Sequence, residues 1–107
     1  MNKNIYIFME YKIKTEKRKL YQQLMKETAA ALSDYQVESF QWFQAVDQKG
    51  LYVEMFHVPA LSYYHTLKKE RRSKDHPIFG KLEECVEGGL EKINCWAFYA
   101  KHEQLEE

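Results

Sequence analysis

The sequence predicts an α+β domain of order βαββαβ, a four-stranded antiparallel sheet with two helices on one face. Three observations carry this reading. Residues 5–13 alternate, with Ile5, Ile7, Met9, Tyr11 and Ile13 on one face and Tyr6, Phe8, Glu10 and Lys12 on the other, which is the period of a strand. Leu20, Leu24, Thr28, Ala31, Leu32 and Tyr35 then recur at helical spacing. Two apolar, aromatic-rich runs at 37–46 and 51–58 flank Asp47-Gln48-Lys49-Gly50, a short polar connection with glycine last that reads as a hairpin.

The elements follow in order. Thr15 is placed to cap the first helix, although Arg18 at the third position denies a full capping box. This helix ends near Ser33-Asp34. The second strand carries Phe40, Trp42 and Phe43, and Pro59 stops the third because proline cannot donate to a ladder. Ser62 is a candidate cap for a helix opening with Tyr63-Tyr64-His65-Thr66-Leu67. Residues 68–75 are strongly charged and are expected to be exposed. His76-Pro77 breaks or kinks that helix, because the residue before proline is steered away from helical angles. Pro77 suits the first turn of a further helix with Ile78, Phe79, Leu82, Cys85 and Val86 on one side. Gly88-Gly89 ends it. Residues 93–99 form the last strand and 101–107 a charged tail. With no repeat, linker or low-complexity tract, residues 1–107 read as one domain.

Composition narrows the function classes. A chain of 107 residues has room for one two-layer core. Sixteen basic residues balance sixteen acidic ones, which argues against a nucleic-acid partner and lets copies approach without long-range repulsion. Tyr, Phe and Trp reach 15%, and aromatics in that number fill cores, line pockets and build interfaces. Cys85 and Cys95 lack metal-ligand spacing and read as a buried reduced pair. The N-terminal residues show no signal-peptide pattern, and no run approaches the roughly 18 apolar residues of a membrane span. The expectation is a cytoplasmic protein with no membrane partner.

Counting faces predicts a partner. The helices would cover Ile5, Ile7, Met9, Val53, Met55, Cys95 and Ala97, leaving Tyr6, Phe8, Phe40, Trp42, Phe56, Trp96 and Phe98 on the other side. Such a patch exceeds what a monomer normally exposes. Covering about 600 Å² of it would stabilise by roughly 15 kcal/mol before association costs. A second copy is the simplest cover, giving a homodimer through the non-helical sheet face.

The chain resembles the dimeric α+β barrel proteins related to the antibiotic-biosynthesis monooxygenases, which are built on a ferredoxin-like fold. The resemblance rests on the glutamate-bearing strand Val53-Glu54-Met55-Phe56, the helix with Tyr64 and His65, the step from His76 to Phe79 and the final aromatic strand, and it spans about residues 4–102. It implies two protomers packed sheet to sheet as a dimeric α+β barrel. It also implies either oxidation of phenols without a cofactor, haem degradation, or a binding role. The haem-degrading branch uses an asparagine near the end of the first strand, a tryptophan and an iron-ligating histidine on the second helix. Here the first-strand region reads Phe8-Met9-Glu10, His76 stands directly before Pro77, and Trp42 and Trp96 are on other strands.

The candidate catalytic residues are Glu54 and Glu10. Glu54 is a carboxylate inside an apolar run, where an unpaired buried charge is very expensive. If Glu10 and Glu54 share a face with Tyr6, Trp42 and Trp96, repulsion and desolvation would raise one pKa and make it an acid or base. The packing alternative pairs Glu54 with Lys12 or with a cation across the dimer, and a β-bulge would change the phase. Tyr6, Trp42, Tyr64, His65, His76 and Trp96 are candidate ligand-binding residues for a small aromatic molecule, with surface or capping roles as the alternative. His57, His65 and His76 lack the spacing of a zinc site, so no metal and no cofactor is expected. The cluster Lys68-Lys69-Glu70-Arg71-Arg72-Ser73-Lys74 reads as a solvated helix face, and Cys85 as core. Two functions remain: a small-molecule-binding or structural homodimer, and a cofactor-independent monooxygenase-like enzyme acting on a small aromatic or quinol substrate. A haem-binding or haem-degrading role is a third.

Overall fold

A computed structural model describes residues 4–101. Its elements are β1 (Ile5–Lys12), α1 (Arg18–Leu32), β2 (Glu38–Gln44), β3 (Leu51–Val58), α2 (Leu61–Arg71) and β4 (Asn94–Phe98), with 3-10 turns at Thr15–Lys17, Ser33–Tyr35, Phe79–Glu84 and Leu90–Lys92. All strand pairs are antiparallel in the order β2-β3-β1-β4. The ferredoxin-like topology follows, with β1 and β3 central and the helices on one face. Lys101 excepted, the expected charged tail lies outside the described residues.

The expected α+β barrel is corrected. β2 and β4 pair only inward, with β3 and β1 respectively, so among the described residues each keeps a free edge and the sheet is open. Four strands separated in this order have no pairing that would close them into a ring. The segment after Pro77 is also not an α-helix. Its six residues Phe79–Glu84 form a 3-10 turn that drops Phe79, Leu82, Cys85 and Val86 into the core, and Ile13 pairs with Val86 to tie it to the end of β1. The two expected caps also differ. Thr15 lies in its own 3-10 turn and α1 starts after Lys17 with no side-chain cap. Ser62 lies inside α2, whose N-cap position is the extended Ala60.

β1 presents its faces as its alternation predicts, with Ile5, Ile7, Met9 and Tyr11 buried under the helices and Tyr6, Phe8 and Glu10 outward. β3 has the opposite phase from the expectation. Tyr52, Glu54, Phe56 and Val58 face the helices, while Val53, Met55 and His57 face outward. Register makes this unavoidable, because Glu54 lies opposite Met9 and Val53 opposite Glu10, and opposed residues share a face. In β2 a bulge between Glu38 and Gln41, with Ser39 at φ 59, inserts one residue. It puts Trp42 opposite Glu54 and lets Phe40 pack near Phe56, with ring centroids 6.1 Å apart. Phe40, Trp42 and Phe56 therefore belong to the helical side.

α1 buries Tyr21, Met25, Thr28, Ala31 and Leu32, and α2 buries Tyr64, Leu67 and Arg71. Gly50 closes the β2–β3 connection at φ +81, its carbonyl accepting the Ile13 N–H at 2.8 Å. A Cβ there would lie 2.9 Å from the Ile13 carbonyl oxygen, so glycine is required for both angle and approach.

Candidate functional site

Glu54 is fully buried, and its partner is Arg71, which is equally buried. The guanidinium grips the carboxylate in a fork, Nη1 to Oε1 at 2.6 Å and Nη2 to Oε2 at 2.8 Å. This is the bidentate geometry that gives charge-assisted bonds their strength. Arg71 reaches it because Tyr64, Leu67 and Arg71 recur along one stripe of α2, the stripe that packs on the sheet. Behind the guanidinium lies the Phe79 ring, 5.3 Å from Cζ, with His76 stacked on it at 4.2 Å. The Arg71 Nε has no hydrogen-bond partner. The expected exposure of residues 68–75 is thus corrected at Arg71.

The Tyr11 hydroxyl donates to Glu54 Oε2 at 2.5 Å. Its proton being spent there, Tyr11 can only accept from the Tyr21 hydroxyl, 2.7 Å away. Tyr21 in turn accepts the Trp42 indole N–H at 2.7 Å. The result is a directed chain from Trp42 through Tyr21 and Tyr11 to Glu54. Burial first, and the Glu54 charge second, pushes the Tyr11 hydroxyl well above the usual phenol range; burial does the same for Tyr21. Burial alone would lower Arg71, but the adjoining carboxylate outweighs it and holds the guanidinium charged. Burial also pushes the Cys95 thiol up to about 11. The carboxylate thus accepts three dry hydrogen bonds, two from the guanidinium and one from a phenol, on its roughly four lone-pair sites.

Glu10 is on the opposite face of the sheet. It stands half-buried beside Asn94, whose amide donates to it at 3.5 Å. The two carboxylates therefore do not share a pocket. The Tyr64 hydroxyl donates to the Cys95 carbonyl at 3.4 Å, and His65 is exposed beside the Tyr64 ring. His76 caps its own turn: Nδ1 accepts the backbone N–H groups of Ile78 and Phe79 at 3.1 and 3.0 Å, which leaves Nε2–H to face the Tyr35 hydroxyl at 3.2 Å. Both ring nitrogens are engaged, so this histidine does not fit the iron-ligand role. Among the described residues no three His, Cys, Asp or Glu side chains gather as a metal site.

Tyr6 and Trp96 do lie together on the open sheet face. Phe8, Trp96 and Phe98 form one aromatic band there, with the Phe8 and Trp96 rings 6.0 Å apart. Beside it is a groove of about 290 Å³ whose walls include Tyr6, Phe8, Gln41, Met55, His57 and Phe98. Trp96 and Phe98 are 44% and 54% exposed, values that leave the band uncovered within one chain. Sequence reasoning missed Tyr11, Tyr21 and Arg71. Two of them had a legible signal, since Tyr11 lies on the inward face of β1 and Arg71 falls seven residues after Tyr64 on α2's apolar stripe.

No protein-family model matches the sequence, and no curated protein does. Solved structures do match in shape. A conserved protein from Methanosarcina mazei Go1 is 18% identical, over 90% of this chain and 91% of that one, with a TM-score of 0.67. A protein from Nitrosomonas europaea that carries the provisional name antibiotic biosynthesis monooxygenase is 9% identical, over 94% and 92%, with a TM-score of 0.71. A NIPSNAP family protein from Agrobacterium tumefaciens C58 is 11% identical, over 94% and 88%, with a TM-score of 0.67. No described helix is long and apolar enough to cross a membrane. At these identities the likeness concerns shape: the chain has the ferredoxin-like fold shared by these monooxygenase-named and NIPSNAP proteins.

Proposed function

We propose that this chain is a small-molecule-binding homodimer, with the open sheet face as both interface and ligand surface and with Glu54 in a structural role. The observation that carries it is the exposed aromatic band of Phe8, Trp96 and Phe98 running into the groove beside Tyr6 and His57. The occupant of most of that face is a second copy. The chain has no formal net charge, so like copies do not repel, and a two-fold contact would set the same band against itself. The groove walls are apolar with a few polar points (Gln41, His57), the usual make-up of a site for a small aromatic ligand.

Sedimentation equilibrium at low micromolar concentration tests the interface. The expected result is twice the chain mass of 12.9 kDa, falling to one chain mass in Phe98→Asp. A single chain mass for the unmodified protein would refute it. Titration with 2-naphthol tests the groove, with saturable quenching of Trp96 expected and its absence counting against a ligand there.

A monooxygenase-like activity on a small aromatic or quinol substrate has one supporting observation: His57 lines the groove with its ring 5.4 Å from that of Tyr6. In that reading His57, not Glu54 or Glu10, would take the substrate proton. Oxygen uptake with an added hydroquinone, lost in His57→Ala, is its test.

A further inference from the structure

We propose that the cleft between α1 and the β2 edge of the sheet binds a small planar aromatic anion, at a site separate from the open face. The cleft encloses about 330 Å³ and is lined by Gln22, Lys26, Trp42, Phe43, Gln44 and Tyr52. Its geometry follows from two periodicities. Gln22 and Lys26 are one turn apart on α1 and share a side of that helix. Trp42 and Gln44 alternate along β2 onto the helical side, with Gln44 directly opposite Tyr52 across the ladder.

Trp42 is the fixed wall. Its indole N–H is taken by Tyr21. Its ring meets Tyr21 edge-on at 71° and runs at 29° to Tyr52, with a centroid separation of 6.3 Å. Held on both counts, it is nevertheless 40% exposed. A tryptophan whose donor is spent and whose ring is immobilised offers stacking surface with little left to lose in ordering. Phe43, opposite the outward-facing Val53 and 47% exposed, borders the cleft only at the strand edge.

The polar groups of the cleft are unspent. Lys26, Gln22 and Gln44 make no side-chain hydrogen bond or ion pair among the described residues, and the buried Tyr52 hydroxyl has no hydrogen-bond partner. The lining holds one cation, two amides and no carboxylate. A cationic ligand would meet only Lys26, and a neutral hydrocarbon would leave it unmatched. An aromatic carboxylate satisfies both parts, its ring on Trp42 and its charge at Lys26. Trp42 and Lys26 lie on the helical side, away from the aromatic band, so binding there does not require the dimer.

The test titrates 2-naphthoate into the ¹⁵N-labelled chain of 107 residues and follows the indole N–H signals of Trp42 and Trp96, assigned with Trp96→Phe. The expected result is a saturable shift of Trp42 with Trp96 unmoved. The neutral analogue 2-naphthamide should bind about fivefold more weakly, the factor of a solvent-exposed charge pair. Lys26→Gln, at an exposed helix position and so expected to fold normally, should weaken 2-naphthoate by about the same factor and leave 2-naphthamide unchanged. Shifts at Trp96 alone would place the anion on the open face and overturn the proposal. Equal binding of acid and amide, or no effect of Lys26→Gln, would overturn it too.

Discussion

Replacing Arg71 with leucine removes both cationic donors from a carboxylate that has no access to water. The bonds lost are the pair at 2.6 and 2.8 Å, and Glu54 would keep only the Tyr11 hydroxyl. Stranding one half of a buried ion pair costs about 3–5 kcal/mol. A chain of this size has a total stability of roughly 5–15 kcal/mol, so the variant sits near the limit of folding. At about 4–8 °C per kcal/mol for a domain of this size, Tm should fall by roughly 12–40 °C.

The double variant Glu54→Leu with Arg71→Leu separates the charge from the packing. Replacing both members of a buried pair by apolar groups is often nearly neutral, so the double variant should lie within about 1–2 kcal/mol of the parent. The coupling between the two positions should then exceed about 2 kcal/mol. Urea unfolding followed by far-ultraviolet circular dichroism measures all four corners of the cycle. Protein concentration is held constant, because self-association adds to apparent stability. If Arg71→Leu costs under about 1 kcal/mol, or the double variant costs the sum of the singles, Glu54 and Arg71 are not a dry, coupled pair.

Three other outcomes follow from the same structure. Tyr21→Phe deletes the hydroxyl that accepts from Trp42 and donates to Tyr11; it should cost about 1–2 kcal/mol by urea unfolding and change the Trp42 emission, whereas a neutral, spectroscopically silent change would contradict the relay. Gly50→Ala meets a positive φ and a carbonyl oxygen at 2.9 Å, so a loss of about 1–3 kcal/mol in thermal melts is expected. Alkali should unfold the protein through its buried acids. Cys95 is raised from 9.0 to about 11, and Tyr11 and Tyr21 are raised above 10.0, so the folded chain holds protons that the unfolded chain has released. Their contribution is complete below the unfolded values and is lost as pH rises through the folded ones. The urea midpoint should therefore drop steadily from about pH 9 upward, and a flat or rising profile would disprove the burial.

How much of this was legible depended on whether a segment's two faces differ. β1 did differ: its inward set is aliphatic up to Tyr11, its outward set turns to Glu10 and Lys12, and the predicted phase is the observed one. β3 is apolar on both faces, and its one charge pointed the wrong way. Treating Glu54 as solvent- or interface-facing assigned Val53 and Met55 to the core, yet the strand runs in the other phase. What reverses it is a contact 17 residues along the chain, which strand periodicity does not encode. The bulge at Ser39 is equally non-local in its effect, since it turns Phe40 and Trp42 to the helical side without any glycine or proline to mark it.

Among the described residues, the burial of Arg71 takes the one charged pair between helices and sheet out of reach of solvent. Charged clusters on helices are ordinarily read as solvated, and of residues 68–75 four are exposed and three partly buried. One position in that run falls on the buried stripe, and there the guanidinium gives both Nη groups to Glu54 while its Nε stays unpaired. Polar groups that have found partners inside a fold stabilise or specify it; those that have not are available to something else. By that criterion Glu54, Tyr11 and Tyr21 fit the structural role proposed for the buried relay. Lys26, Gln22 and Gln44 beside Trp42 are the opposite case, and so, for want of apolar cover, are Phe8, Trp96 and Phe98. The two surfaces differ in chemistry, one carrying a cation and the other an aromatic band without charge, so exchanging an anionic probe for its neutral amide should weaken binding at Trp42 and leave binding at Trp96 unaffected.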